Sequence, residues 1–227
     1  MRLAACYPGE IGGVVFDMDG VLTDTEPIHA RAMKALLARF HAVLTARDYA
    51  QLVGLGHEEY WRSVRKRFCL SDPAPVLAAQ FERILLPSIE EATPTPSARF
   101  LLNDLGNAGV PLALASSSPR RIVDATLLAL GFQTAFNVSV AGDEIQVGKP
   151  GPEIYVVAAA RLGVETGRCV AIEDSVPGMV SARAAGMRVI GLASRYVNGT
   201  PSADLIIRSL LDLADDRPWH LRTSEVE

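Results

Sequence analysis

Two aspartates, Asp17 and Asp19, stand two residues apart in GGVVFDMDGVLTDTEP, directly after the apolar run VVF and before Gly20. A carboxylate at the end of a buried strand is costly unless something pairs with it. A plain Asp–Gly turn is the ordinary reading, so the rest of the chain has to separate a turn from chemistry. Three further segments carry reactive side chains after apolar runs. LALASSSP offers Ser116 and Ser117, GKPGPEIY offers Lys149 just ahead of a proline-started helix, and VAIEDSVPG offers Glu173 and Asp174. Alone, the serines read as a helix N-cap, the lysine as a solvated side chain and the acidic pair as a turn. Taken together, Asp17, Glu173 and Asp174 are acidic oxygens that repel and shift one another's pKa. A hard cation such as Mg²⁺, which takes oxygen ligands, resolves that conflict. A metal, a lysine and serine hydroxyls form a cradle for a phosphoryl group. Asp17 is then the expected nucleophile, forming an acyl phosphate. Asp19 is the expected acid–base that protonates the leaving alkoxide.

These residues need a scaffold that brings four chain segments to one place. Short apolar runs predict strands at 14–16, 110–116, 137–141, 169–173, 188–192 and 204–207. They are apolar throughout rather than alternating, as in strands covered on both faces. Between the later runs lie helical patterns at 119–131, 151–163 and 177–186, which stop at Gly131, Gly163 and Gly186; the last two open on Pro152 and Pro177. Strand–helix alternation predicts an α/β fold, a doubly wound parallel sheet. In such sheets ligands bind at the carboxyl ends of the strands, where all four segments fall.

Residues 25–95 break the rhythm and read as wholly helical. TEPIHARAMKALLARF puts His29, Met33, Leu36, Leu37 and Phe40 on one face, and HEEYWRSVRKRF and PVLAAQFERILLPSIEEA follow. TPTPS, at 93–97, reads as a hinge. The expected organisation is a catalytic core of residues 1–24 and 96–227 with an α-helical cap at 25–95, crossed near 22–26 and near 93–97. Closure of the cap over the core is expected to expel water. Tyr60 and Trp61 are expected in the core of the cap.

Composition narrows the classes further. The chain has 227 residues, 49% hydrophobic and 21% charged, which fits a globular fold with a substantial core. The net charge of −4 argues against unaided nucleic-acid binding. Cys6, Cys69 and Cys169 lie far apart with no metal or disulfide spacing, so buried or incidental thiols in a reducing, cytoplasmic setting are expected. MRLAAC lacks the apolar length of a signal segment. No apolar run approaches the ~18 residues of a membrane helix. The expected partner is a small phosphorylated metabolite, with no nucleic acid, membrane or obligate protein partner.

The four segments, in this order and spacing, resemble the haloacid dehalogenase superfamily of phosphotransferases over nearly the whole chain. The resemblance implies Asp17 as nucleophile and metal ligand, and Asp19 as acid–base and ligand through its backbone carbonyl. It also implies that Ser116, Ser117 and Lys149 bind phosphate and that Asp174, with Glu173 beside it, holds the metal, Mg²⁺. Dehalogenases and phosphonatases of this superfamily lack the second aspartate, so Asp19 implies phosphate-ester chemistry. The helical insert resembles the cap of the subgroup containing β-phosphoglucomutase and many sugar-phosphate and phosphoglycolate phosphatases. Thr25, His29, Gly54 and His57 are the implied substrate-side candidates. The mutase's distal phosphate clamp is not matched: its loop arginine meets His57, its Lys-Asn pair meets Pro119 and Arg120, and only Arg83 stands near its cap lysine. The expectation is a phosphatase acting on a small phosphorylated metabolite, a sugar phosphate, with a sugar phosphomutase as alternative and a non-catalytic phospho-ligand sensor as a third reading.

Overall fold

The computed structural model describes residues 11–52, 57–193 and 202–213. Six strands form one parallel sheet: β1 (Gly13–Phe16), β2 (Leu112–Ala115), β3 (Val138–Val140), β4 (Cys169–Glu173), β5 (Arg188–Leu192) and β6 (Leu205–Ile207). All six match the predicted runs. Their order is β3-β2-β1-β4-β5-β6, with β1 flanked by β2 and β4. The chain leaves β1 toward β2 and β3 on one side and later returns to β4 on the other. The strand order therefore reverses at β1 and β4, the place where open α/β sheets bind ligands.

Side chains alternate across a strand with period two, and the two faces of this sheet build two cores. Val14, Phe16, Leu112, Leu114, Val170, Ile172 and Ile190 belong to one. Val15, Ala113, Ala115, Val140, Ala171 and Val189 belong to the other, under α7 (Glu153–Leu162) and α8 (Val176–Ala184). Because both faces are covered, β1, β2 and β4 are buried at every position. α5 (Ala98–Asn107) and α6 (Arg120–Leu130) complete the layers around the sheet. As anticipated, α6 and α7 stop at Gly131 and Gly163.

Between β1 and β2 the described residues are helical: α1 (Glu26–Ala38), α2 (Ala46–Leu52), α3 (His57–Arg67) and α4 (Ala74–Leu85). Two details differ from the sequence reading. Phe40 lies beyond the end of α1, although it still packs on the core. The long pattern ending in LLPSIEEA breaks after Leu85 and continues as a 3₁₀ turn over Leu86–Glu91. Pro87 has no N–H to donate into an α-helix and crowds the preceding turn. The two crossings are tied together: Thr95 N donates to Leu22 O at 2.8 Å, and Thr23 Oγ1 donates to Thr93 O at 2.9 Å. Met33, Leu36, Trp61, Leu77 and Phe81 join the same apolar cluster as Phe16 and Leu114, so the insert shares a core with one face of the sheet. Cys169 is buried and Cys69 exposed, and Cys6 lies outside the described residues. No helix among the described residues is long and apolar enough to cross a membrane.

Candidate active site

Asp17 follows β1 directly, and its N–H donates to Ile172 O at 3.0 Å, extending the β1–β4 ladder by one bond. This fixes its carboxyl beside the end of β4, where Glu173 and Asp174 stand. Asp17, Glu173 and Asp174 each present an oxygen within 4.8 Å of the others. Gly20 closes the turn at φ +87°, and a side chain there would overlap the Asp174 carboxylate, so the glycine after the Asp pair keeps the acidic cluster open.

Lys149 reaches into this cluster from the loop before α7. Its Nζ donates to Asp17 Oδ1 at 2.5 Å, Glu173 Oε1 at 2.6 Å and Ala115 O at 3.1 Å. The ammonium also lies over the ring of Tyr155, 5.2 Å from its centroid. Burial alone would lower the lysine, but Asp17 and Glu173 raise it well above its ordinary value. It stays charged.

The three carboxyls are not equivalent. Glu173 is fully buried, and Oε1 accepts from Lys149 and from Tyr155 Oη at 2.9 Å. Its Oε2 accepts from the N–H groups of Asp174 and Ser175, each at 3.0 Å, and from Ser175 Oγ at 2.9 Å. Against the effect of burial, Lys149 and these donors hold Glu173 below the usual carboxylate range. Its lone pairs are occupied, so Glu173 anchors the lysine and the turn after β4. Asp17 is different. Burial pushes it up to about 8, against the pull of Lys149 and with the charge of Glu173 adding to the rise. Asp174 is pushed up to about 9 by burial and then by Asp17 and Glu173. Asp17 and Asp174 could hold a hard cation, whose charge would replace the protons on the two raised carboxyls.

Asp19 is held differently. Thr25 Oγ1, at the start of α1, donates to its Oδ1, and Ser118 Oγ, after β2, donates to its Oδ2 at 3.3 Å. The hydroxyls come from opposite sides, one from the insert and one from the sheet, and orient the carboxylate toward the cavity.

A cavity of about 520 Å³ opens over these groups. Asp17, Asp19, Lys149 and Asp174 line its floor, with Ser117 and Ser118. Ser116 does not line it. It is fully buried, and its Oγ accepts from Ser118 N at 3.1 Å, so it braces the loop from behind. On the insert side Thr25 and His29 line the cavity, and the His29 ring packs on Phe81 with centroids 5.9 Å apart. Gly54 lies outside the described residues, as does the side chain of His57, which opens α3. Tyr60 and Trp61 pack edge to face at 5.2 Å, as expected of core aromatics, and both also line the cavity. Tyr155, Ser118 and Ser175 were not singled out by sequence. Tyr155 sits in helix-core spacing, Ser118 falls in the serine run that reads as a cap, and Ser175 follows the acidic pair that reads as a turn; in the structure Ser175 caps α8, accepting from Gly178 N at 3.1 Å.

The doubly wound parallel sheet is Rossmann-like, and the lysine-bridged acidic cluster at the point where its strand order reverses could take an anionic group together with a hard cation. The model of the haloacid dehalogenase-like hydrolases matches residues 11–186, and the chain belongs to that family. It is 31% identical to the bifunctional riboflavin kinase/FMN phosphatase of Arabidopsis thaliana over 92% of its own length, and spans 55% of that longer protein. It is 30% identical to Hexitol phosphatase B of Escherichia coli strain K12, over 91% of this chain and 96% of the other. Among solved structures it resembles CbbY from Rhodobacter sphaeroides in complex with phosphate, with a TM-score of 0.80 and 27% identity over 88% of this chain and 94% of that one.

Proposed function

We propose that the protein is a Mg²⁺-dependent phosphomonoesterase acting on a small phosphorylated metabolite through a phosphoaspartate on Asp17. The observation that carries this reading is the contact of Lys149 with both Asp17 and Glu173 beside Asp174, below a cavity into which Asp19 also faces. In the first half-reaction a carboxylate oxygen of Asp17 bonds to phosphorus, and the ester P–O bond breaks. Asp19 gives its proton to the departing alkoxide. In the second, Asp19 takes a proton from water, whose oxygen attacks phosphorus and frees Asp17. Lys149, Ser117 and the Ser118 loop braced by Ser116 hold the phosphoryl oxygens. Asp17, Asp174 and the backbone carbonyl of Asp19 would hold Mg²⁺, with Glu173 beside them fixing Lys149; the ion supplies charge neutralisation on the phosphoryl group. Residues 25–95 act as the cap, and closure excludes water.

Phosphatase is favoured over mutase because neither Arg120 nor Arg83, which stand near the mutase's clamp positions, lines the cavity. Arg120 is engaged with Glu144, Asp124 and Ser139, and exposed Arg83 is not among the residues lining the cavity. Sugar phosphates are one substrate class to test, by likeness to Hexitol phosphatase B. The test is phosphate release from a metabolite panel with Mg²⁺ and with chelator, following hexose 1- and 6-phosphates for isomer exchange. Release that needs the metal is expected. Exchange with little release would make the protein a mutase, and binding of Mg²⁺ and phosphate without turnover would make it a sensor.

The metal reading also predicts a pH effect on stability. The raised acids Asp17 and Asp174 keep their protons in the folded protein where the unfolded chain has already lost them. Their contribution to stability therefore falls as pH rises from about 4 toward 9. Glu173, shifted the other way, loses its contribution only at acid pH, as pH falls through its lowered folded value. Chelated protein is expected to melt at lower temperature at pH ~8.5 than at pH ~6, and added Mg²⁺ is expected to raise the melting temperature more at the higher pH. An equal Mg²⁺ shift at both would reject proton–metal competition at this cluster.

A further inference from the structure

The cavity wall facing the phosphoryl site is apolar and aromatic. Leu52, Tyr60, Trp61, Ala78, Phe81 and Leu85 line it, and Trp61 and Phe81 meet with ring centroids 5.3 Å apart. Sparse polar groups stand on this side: Glu26, His29 and Glu82 beside the Tyr60 phenol. The Tyr60 phenol is itself pushed well above its ordinary value, by burial and then by Glu26. Among the described lining residues the single Lys or Arg is Lys149, and it is already bonded to Asp17 and Glu173 on the floor. The acids that line the cavity outnumber it: Asp17, Asp19, Glu26, Glu82, Asp143 and Asp174.

Among the described residues of the insert, three cations face another cavity. Arg62, Arg65 and Lys66 line a separate cavity on α3 that shares Trp61 with the first. Arg121 of α6 meets Glu82 at 3.3 Å from the outside, with its side chain 75% exposed.

Resting on the phosphatase reading, we propose that the preferred substrate is a monophosphate whose leaving alcohol is uncharged and carries a flat aromatic or otherwise apolar ring. The phosphoryl group takes the cationic floor, and the ring packs against Tyr60, Trp61 and Phe81. Two costs exclude the alternatives. A second phosphate or carboxylate would be desolvated among the lining carboxylates, and beyond Lys149 no Lys or Arg among the described lining residues would meet it. A polyhydroxylated body would set several hydroxyls against Leu52, Ala78, Phe81 and Leu85, and each unpaired hydroxyl weakens binding about tenfold or more. The cavity of about 520 Å³ is large enough for a ring-bearing ligand. Benzyl phosphate and 2-phenylethyl phosphate have this form, with one phosphate and an apolar ring on an alcohol that carries no further hydroxyl.

The experiment compares kcat/KM, with Mg²⁺, for 2-phenylethyl phosphate, benzyl phosphate, fructose 1-phosphate and fructose 1,6-bisphosphate. All four are esters of alkyl alcohols, so an activated leaving group does not decide the order. Both ring-bearing monophosphates are expected to exceed fructose 1-phosphate by about tenfold or more, with the bisphosphate lowest. Fructose 1-phosphate equal to or better than both ring compounds would overturn the proposal while leaving the phosphatase reading intact. No release from any of the four would overturn that reading as well. Ala79, exposed on α4 and lining the cavity, gives an independent arm. Ala79→Arg adds the missing cation and is expected to raise the ratio of bisphosphate to fructose 1-phosphate turnover about tenfold. An unchanged ratio would overturn the exclusion by charge.

Discussion

Asp17→Asn is expected to lower kcat for phosphate release by at least about 10⁴-fold, because no other group at the site would form the covalent intermediate. Stability should not fall. At neutral pH the Asp17 carboxyl, pushed up to about 8 by burial, is largely protonated before the metal binds. An amide of the same shape keeps an oxygen to accept from Lys149 and removes a carboxyl that burial disfavours as an anion. Metal-free Asp17→Asn protein should therefore be at least as stable as the parent in urea at neutral pH, because it no longer has to take up a proton on folding. Activity lost with stability kept separates a nucleophile from a structural acid. Full activity in Asp17→Asn would remove the phosphoaspartate mechanism. The same variant should also bind Mg²⁺ more weakly, since it loses one of the two carboxyls whose raised values mark the site. Calorimetric titration of the chelated proteins checks that.

The residues that could be read in advance are those whose position follows from the backbone alone. A side chain directly after a parallel strand must lie at the carboxyl edge of the sheet, so Asp17, Ser116 and Glu173–Asp174 followed from finding three strands. Lys149 required more, because a loop residue can point anywhere; its neighbours in GKPGPEIY and the resemblance placed it. What stayed hidden depends on contacts between segments. Tyr155 occupies a core position of α7 by spacing, and only the fold shows its hydroxyl on Glu173 and its ring under Lys149. Ser116 and Ser118 look alike in LALASSSP, yet a two-residue offset puts one behind the wall and the other on Asp19. α2 has no apolar periodicity to announce it in ARDYAQL, and its position is fixed instead by contacts such as the Arg67–Asp48 ion pair from α3. Pro87 was in plain view, but the apolar pattern continues through it, so periodicity alone overran the end of α4.

Lys149→Met is expected to be the most damaging single change to the fold, costing about 3–5 kcal/mol at pH ~8 as well as abolishing turnover. Methionine fills much of the same space but leaves Asp17, Glu173 and the Ala115 carbonyl without their shared donor. The lysine holds Asp17 and Glu173 down against burial. Without it both carboxyls shift upward; Asp17 already holds its proton below about 8 in the parent, so it is Glu173, lowered in the parent, that must newly take up a proton the unfolded chain does not bind at that pH. The cost should therefore grow as pH rises above about 4, being smaller at pH ~5 than at pH ~8. A packing defect has no reason to titrate in that window, so urea denaturation at the two pH values distinguishes them. Glu173→Gln in the same chain supplies a second check. It removes one of the stranded charges while keeping the shape that Tyr155 and Ser175 bond. The double variant should recover part of the loss at pH ~8 although neither change alone stabilises, a coupling that a double-mutant cycle reads directly. A pH-independent loss with no recovery would mean that Lys149 matters to the fold through its methylene stem, and that its charge serves only the phosphoryl group.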